Sequence, residues 1–229
     1  MVVATESGAT CSRLIINEDY GFTTSHTFTA DEVVAKRSHY ERQWTFAFSM
    51  PISVKSTDEI RFFEMTQQDG DTLVCYEVTE TEPYKPYIAY ATADEVELGG
   101  KNITVTPYKR NTDVYIGDVQ FMATMRQLDN SYLSGIGAFH LFDRSWLPVT
   151  EQTIIRPMTA WLASTHQNLG IRLLDSKNNA VTTAIRSLGS RISAADTPIY
   201  DLSGRKVGDS LDNLPKDIYI RGGKKIIKR

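Results

Sequence analysis

Four histidines, two cysteines and twenty-eight acidic residues are the groups in this chain best equipped for chemistry. His26, His39, His140 and His166 stand far apart, and none has a second histidine three or four residues away. That spacing gives no helical metalloprotease motif, so a metal cluster would need long-range convergence. Cys11 and Cys75 have no histidine pair beside them and make no structural zinc site. They read either as one disulfide of an exported protein or as free, buried thiols. Ser134-Gly135-Ile136-Gly137 and Leu188-Gly189-Ser190 lack the spacing of a serine nucleophile elbow. Gly135-Ile136-Gly137 also lacks the third glycine of a dinucleotide fingerprint. Carboxylates pair in sequence at Asp58-Glu59, at Asp69 with Asp71, and at Asp94-Glu95. Glycoside hydrolysis needs two of them fixed about 5 Å or about 6.5–9.5 Å apart across a sugar; these read instead as solvated turn residues. Asp69-Gly70-Asp71 offers oxygens to calcium without the ordered ligand set of an EF-hand loop. No metal or cofactor is expected.

Binding chemistry is better represented, in the aromatic residues. Flat rings hold the faces of sugars while polar groups fix the hydroxyls. Tyr84, Tyr87, Tyr90 and Trp146 are the candidates for such a glycan platform, and Tyr84-Lys85-Pro86-Tyr87 is its most loop-like part. Trp161 belongs to the same group but, like Trp44, sits in a run that reads as core. A β-sandwich draws aromatic residues inward for packing, and that use competes with display.

The elements that must position these residues read as short strands. Cys11 to Ile16 is apolar and strand-like, Phe22 to Phe28 is rich in Thr and aromatics, and Ala30 to Tyr40 reads as extended. From Trp44 to Met50, aromatic and apolar residues alternate with small or polar ones, the period of a half-buried strand. Asp69-Gly70-Asp71 marks a hairpin, Pro83 and Pro86 bracket a bend, and Gly99-Gly100 is expected to turn the chain into Ile103-Thr104-Val105. Val114 to Asp118 leads into Val119–Met125, and Phe139–Phe142 follows the turn residues Asp129-Asn130-Ser131. No span from 40 to 165 has the helical periodicity that parallel crossovers require. His166 to Ser190 breaks the rhythm and is consistent with a strand pair, a partly helical linker or a hinge.

Composition and charge narrow the partners. The chain is 41% hydrophobic and 23% charged, which suits an ordinary folded domain. No apolar run reaches the roughly 18 residues of a membrane-spanning helix. Met1-Val2-Val3-Ala4 lacks the basic and apolar regions of a secretory leader, so an exported product would have its leader outside this sequence. The net charge is −3, but residues from Asp201 onward carry eight Lys/Arg against four Asp, which leaves about −7 to residues 1–200. The one dense basic cluster, Lys224, Lys225, Lys228 and Arg229, has no interleaved aromatics, and nucleic acid is not an expected partner.

Residues 199–229 read as paired strands: Ile199-Tyr200, a turn at Ser203-Gly204, Lys206-Val207, then Ile218-Tyr219-Ile220 and Ile226-Ile227 around Gly222-Gly223. This tail, with Asp201, Leu202, Gly204, Arg205, Gly223 and Lys224, resembles the C-terminal sorting tail of secreted and cell-surface proteins of the Bacteroides and Prevotella group. It is shorter than a full type IX sorting domain, and Asp217 stands where relatives carry glycine. Trp44 to Val54, Ile60–Glu64, Leu73–Val78, Tyr84–Ala89 and Ile155–Leu162 are similar to the β-sandwich region that precedes such tails. The resemblance implies an outer-membrane or extracellular location and contact with secretion machinery.

The expected fold is all-β: an antiparallel β-sandwich body over 1–165, which two packed sandwich subdomains would also satisfy. An irregular or linker segment follows over 166–197, and a small β-rich tail module over 198–229. The expected function is a non-enzymatic structural, adhesive or interaction module with a glycan or surface-protein ligand. A carbohydrate-binding module is the alternative, and a glycoside hydrolase fragment the more distant one.

Overall fold

The computed structural model describes residues 2–5, 8–38, 45–93, 95–108, 112–142, 145–181, 199–200, 206–208, 218–221 and 224–227. The fold is all-β, with one short helix among the described residues. The chain divides into two units, Met1–Ile185 and Arg186–Arg229.

Three sheets build the first unit. One is made of β1 (Val2–Thr5), β2 (Gly8–Asn17), β3 (Phe28–Ser38) and β8 (Glu95–Val105) in that order. A second has β14 (Gly170–Leu174), β6 (Thr72–Val78), β5 (Ile60–Asp69), β7 (Tyr87–Ala91) and β4 (Thr45–Phe48). The third runs β12 (Ser145–Pro148), β11 (Ala138–Phe142), β13 (Thr159–Ala163), β10 (Val119–Thr124) and β9 (Val114–Ile116).

The β5 sheet is the middle layer. Side chains alternate across a strand, and on β5 they enter two different cores. Ile60 and Phe62 pack with Leu14, Ile16, Val33, Val96 and Leu98 of the first sheet. Phe63 and Met65 pack with Phe121, Phe139, Trp146 and Leu162 of the third. All four residues of β4 are consequently buried. A sheet covered on both faces reads as a continuous apolar run instead of an alternating one, which is why Phe46-Ala47-Phe48 supports more burial than its period of two suggests.

Four expectations change. Pairing is mixed, since β2–β3 and β6–β14 are parallel. The glycine pair lies inside β8 and does not turn the chain: a Cβ on Gly99 would overlap the carbonyl oxygen of Val33, so glycine there lets β3 approach. Of the Thr- and aromatic-rich stretch Phe22–Phe28, only Phe28 is in a strand. Within 166–197, Gly170–Leu174 forms β14, because Leu169, Ile171 and Leu173 alternate and fill the second core. The remaining part of that segment from residue 182, and Trp44, lie outside the described residues.

The helix α1 (Asn130–Gly135) is capped by Asp129, whose Oδ1 accepts the Ser131 N–H at 2.9 Å. With Leu133, Val149 and Ile155 it covers Trp161 on the outer face of the third sheet.

In the second unit, β15 (Ile199–Tyr200), β16 (Lys206–Gly208), β17 (Ile218–Arg221) and β18 (Lys224–Ile227) form an antiparallel sheet in the order β16-β15-β17-β18. The β17–β18 pair is the hairpin expected around Gly222-Gly223. Those glycines, with Asp201, Leu202, Gly204 and Arg205, lie outside the described residues.

Candidate functional site

The aromatic platform read from sequence is not a surface. Tyr84 and Tyr87 are each 1% exposed and Trp146 is 4% exposed. The two tyrosines belong to the core between the first and middle sheets, and Trp146 to the core on the other side of the middle sheet. Their polar ends explain why the bend folds inward. The Tyr84 hydroxyl donates to the Thr106 carbonyl at 2.6 Å, and the Tyr87 hydroxyl accepts the Glu82 N–H at 3.0 Å. Each ring is buried with its polar atom satisfied, which removes the main cost of burying tyrosine. Tyr84 holds this corner at φ +66°, in the left-handed region. Burial raises its phenol to about 12. Trp146 packs edge-to-face on Phe121, with centroids 5.8 Å apart. Tyr90 is half-buried against the second core.

A different aromatic cluster does line open space. A cleft of about 620 Å³ is walled by Phe22, Tyr108, Met122 and Trp161, with Asp113 and Arg126 among its polar groups. Strand register builds its base. Met122 on β10 lies directly opposite Trp161 on β13, both on the outer face, while their neighbours Phe121 and Leu162 face the core. One wall comes from the β2–β3 loop. A Cβ on Gly21 would overlap the carbonyl oxygen of Met125, so only glycine lets residues 21–23 approach the chain leaving β10 this closely. The Thr124 hydroxyl donates to the Arg126 carbonyl at 2.6 Å and accepts the Arg126 N–H at 3.2 Å, fixing the bend at the rim. Tyr108 stands edge-to-face on Tyr84 at 5.2 Å, so the buried corner props an exposed ring.

Asp113 is the perturbed group of the cleft. Burial pushes its carboxyl above the usual range, opposed by a hydrogen bond from the Ala123 N–H. A partly desolvated carboxylate among apolar walls is the arrangement that gains most from a ligand donor.

A second polar cluster joins three loops. His166 Nδ1 lies 2.7 Å from Asp71 Oδ1, and its Nε2 lies 3.4 Å from Asp118 Oδ1. Asp118 Oδ2 accepts from the Thr165 hydroxyl at 2.7 Å and the Ser164 hydroxyl at 3.0 Å. These bonds, the Thr165 hydroxyl first, hold the Asp118 carboxyl well below its ordinary value. Ser164 points its proton at the carboxylate instead of the imidazole, so the trio does not activate a nucleophile. It clasps the β5–β6 and β9–β10 turns to the segment after β13. Asp69 and Asp71 thus have structural partners: Asp69 lies 3.8 Å from Arg172.

Another cleft, of about 590 Å³, is lined by Arg37, His140, Phe142, Ile154 and Arg156. Arg37 is buried 3.5 Å from Glu18, and Arg156 pairs with Asp19 at 2.8 Å. Among the described residues there is no group of three or more metal-ligating side chains, and both cysteines are free and buried.

Sequence reasoning missed Phe22, Tyr108, Asp113 and Arg126 because each comes from a different loop or strand end. Only Met122 and Trp161 carried a signal, the alternation along 119–124 and 159–163 that sets them on one face. No protein-family model, curated protein or solved structure matches this chain.

Proposed function

We propose that this chain is a non-enzymatic interaction module of a secreted or cell-surface bacterial protein, with a layered β body and a C-terminal segment that serves export or anchoring. The observation that carries this reading is the middle sheet, sealed by a core on each face. The aromatic residues that first suggested chemistry are spent on rigidity, which suits a support that presents loops and clefts to a partner.

The tail's contribution rests on its likeness to sorting tails, its antiparallel sheet and its surplus of four positive charges. Such a surplus favours contact with anionic envelope surfaces or acidic partners. An outer-membrane location and engagement with type IX secretion machinery belong to the same proposal.

The test places the whole chain behind an export leader in a bacterium that has that machinery. Protease added to intact cells should remove the native chain from the surface. A variant with Ile218→Asp and Ile220→Asp should be retained inside. Equal surface exposure of both, or retention of the native chain, would overturn the tail's assignment. Release of reducing ends from any oligosaccharide by the purified chain would overturn the non-enzymatic one.

A further inference from the structure

We propose that the cleft between Phe22, Tyr108 and Trp161 is a saccharide-binding site, in which Asp113 accepts from and Arg126 donates to the sugar hydroxyls. This assignment goes beyond the structural role above and is independent of the tail. Its volume, about 620 Å³, lies in the range of roughly 300–1,000 Å³ typical of small-ligand sites.

The lining selects the ligand class. A purely apolar occupant would take water from Asp113 and Arg126 without replacing its hydrogen bonds, which is costly. An organic cation would suit the rings and the carboxylate but would meet the Arg126 guanidinium at the rim. A neutral polyhydroxylated ring satisfies every wall at once. Its C–H face packs on apolar and aromatic surface, and its hydroxyls both donate and accept. Thr23 and Arg126 are exposed and Tyr108 is 39% exposed, so the polar contacts and one ring meet solvent where a ligand enters. Trp161, only 7% exposed, forms the base. The supports are built in: Gly21 permits the close wall, the Thr124 hydroxyl fixes the Arg126 bend, and Tyr84 props Tyr108. Fixed side chains reduce the ordering cost of binding.

The experiment titrates the full chain with cellotetraose, xylotetraose, maltotetraose and chitotetraose, and separately with tetramethylammonium chloride. Tryptophan fluorescence and ligand-observed NMR report binding. At least one tetrasaccharide should saturate by about 10 mM. Loss of one hydrogen bond to a charged group should weaken it roughly tenfold or more in Asp113→Asn and in Arg126→Ala. Tyr108→Ala should weaken it further, with the far-ultraviolet circular dichroism of all three unchanged. No binding by any of the four sugars, binding indifferent to the Asp113 and Arg126 variants, or capture of tetramethylammonium in place of sugar would each overturn the assignment.

Discussion

Phe62 and Phe63 are adjacent on one strand yet belong to different hydrophobic cores, Phe62 toward the first sheet and Phe63 toward the third. Both are fully buried. The pair defines the body: one strand serves as wall to two compartments, so neither outer sheet can be lost without exposing the middle one.

Truncating either ring should therefore be severe. Phe62→Ala and Phe63→Ala are each expected to cost about 3–5 kcal/mol, read as a fall in urea midpoint without loss of a single transition. A surface-level cost of about 0.5 kcal/mol or less for one of them would place that ring outside a core.

The thiols report the same partition. Cys11 lies in the first core and Cys75 in the second, with the middle sheet between them. The disulfide left open by the sequence is thus excluded in this fold. Burial also pushes the Cys75 thiol far above its ordinary range, which suppresses the reactive thiolate. Neither cysteine should react with a thiol reagent in native buffer, and both should react once the chain is unfolded. Rapid native labelling of Cys75 would contradict its place beneath the third sheet.

Much of this was legible in advance, in specific places. The alternation in Val119–Met125, the Asp69-Gly70-Asp71 hairpin and the Ile218–Ile227 hairpin announced strands because local pattern and turn chemistry agree there. The middle layer was hidden by its own burial. A strand covered on both faces loses the alternation that distinguishes inside from outside, so Phe46-Ala47-Phe48 looked like one wall of a two-sheet sandwich. The tyrosine bend misled for a related reason. Prolines predict a surface loop, but the Thr106 carbonyl and Glu82 N–H that draw Tyr84 and Tyr87 inward are set by tertiary structure. The cleft was illegible since its polar rim is assembled from residues distant in sequence.

Acid should weaken the body in two separate steps. Burial lowers the His140 imidazole below its ordinary value of 6.5. The unfolded chain therefore takes up a proton first, and the associated stability, complete above about pH 6.5, declines as pH falls below it. The carboxyls of Asp118, Asp129 and Asp175 are also lowered, below 3.8 and each by hydrogen bonds, so their contribution is lost only as pH falls below about 3.8. Melting temperature against pH should show both declines, and His140→Gln should flatten the upper one alone. An unchanged slope in that variant would assign the upper step elsewhere.

Asp113 carries a stability cost that suits a binding group. Its folded carboxyl is raised above 3.8 by burial, so its effect is absent below that pH and grows as pH rises through the folded value. Asp113→Asn keeps an oxygen for the Ala123 N–H and removes the charge. It should raise the melting temperature at pH 7 and lose that advantage below about pH 3.8. A lower melting temperature at pH 7 would show that the ionised carboxylate is a net structural asset.

The most direct test of the layered body is native-state hydrogen exchange of the full chain, resolved by residue. Amides of β5 and β7 should exchange only through global unfolding, more slowly than those of β1 and β9 at the sheet edges. Exchange of β5 through a local opening, at a free energy well below that of global unfolding, would contradict a middle sheet closed on both faces.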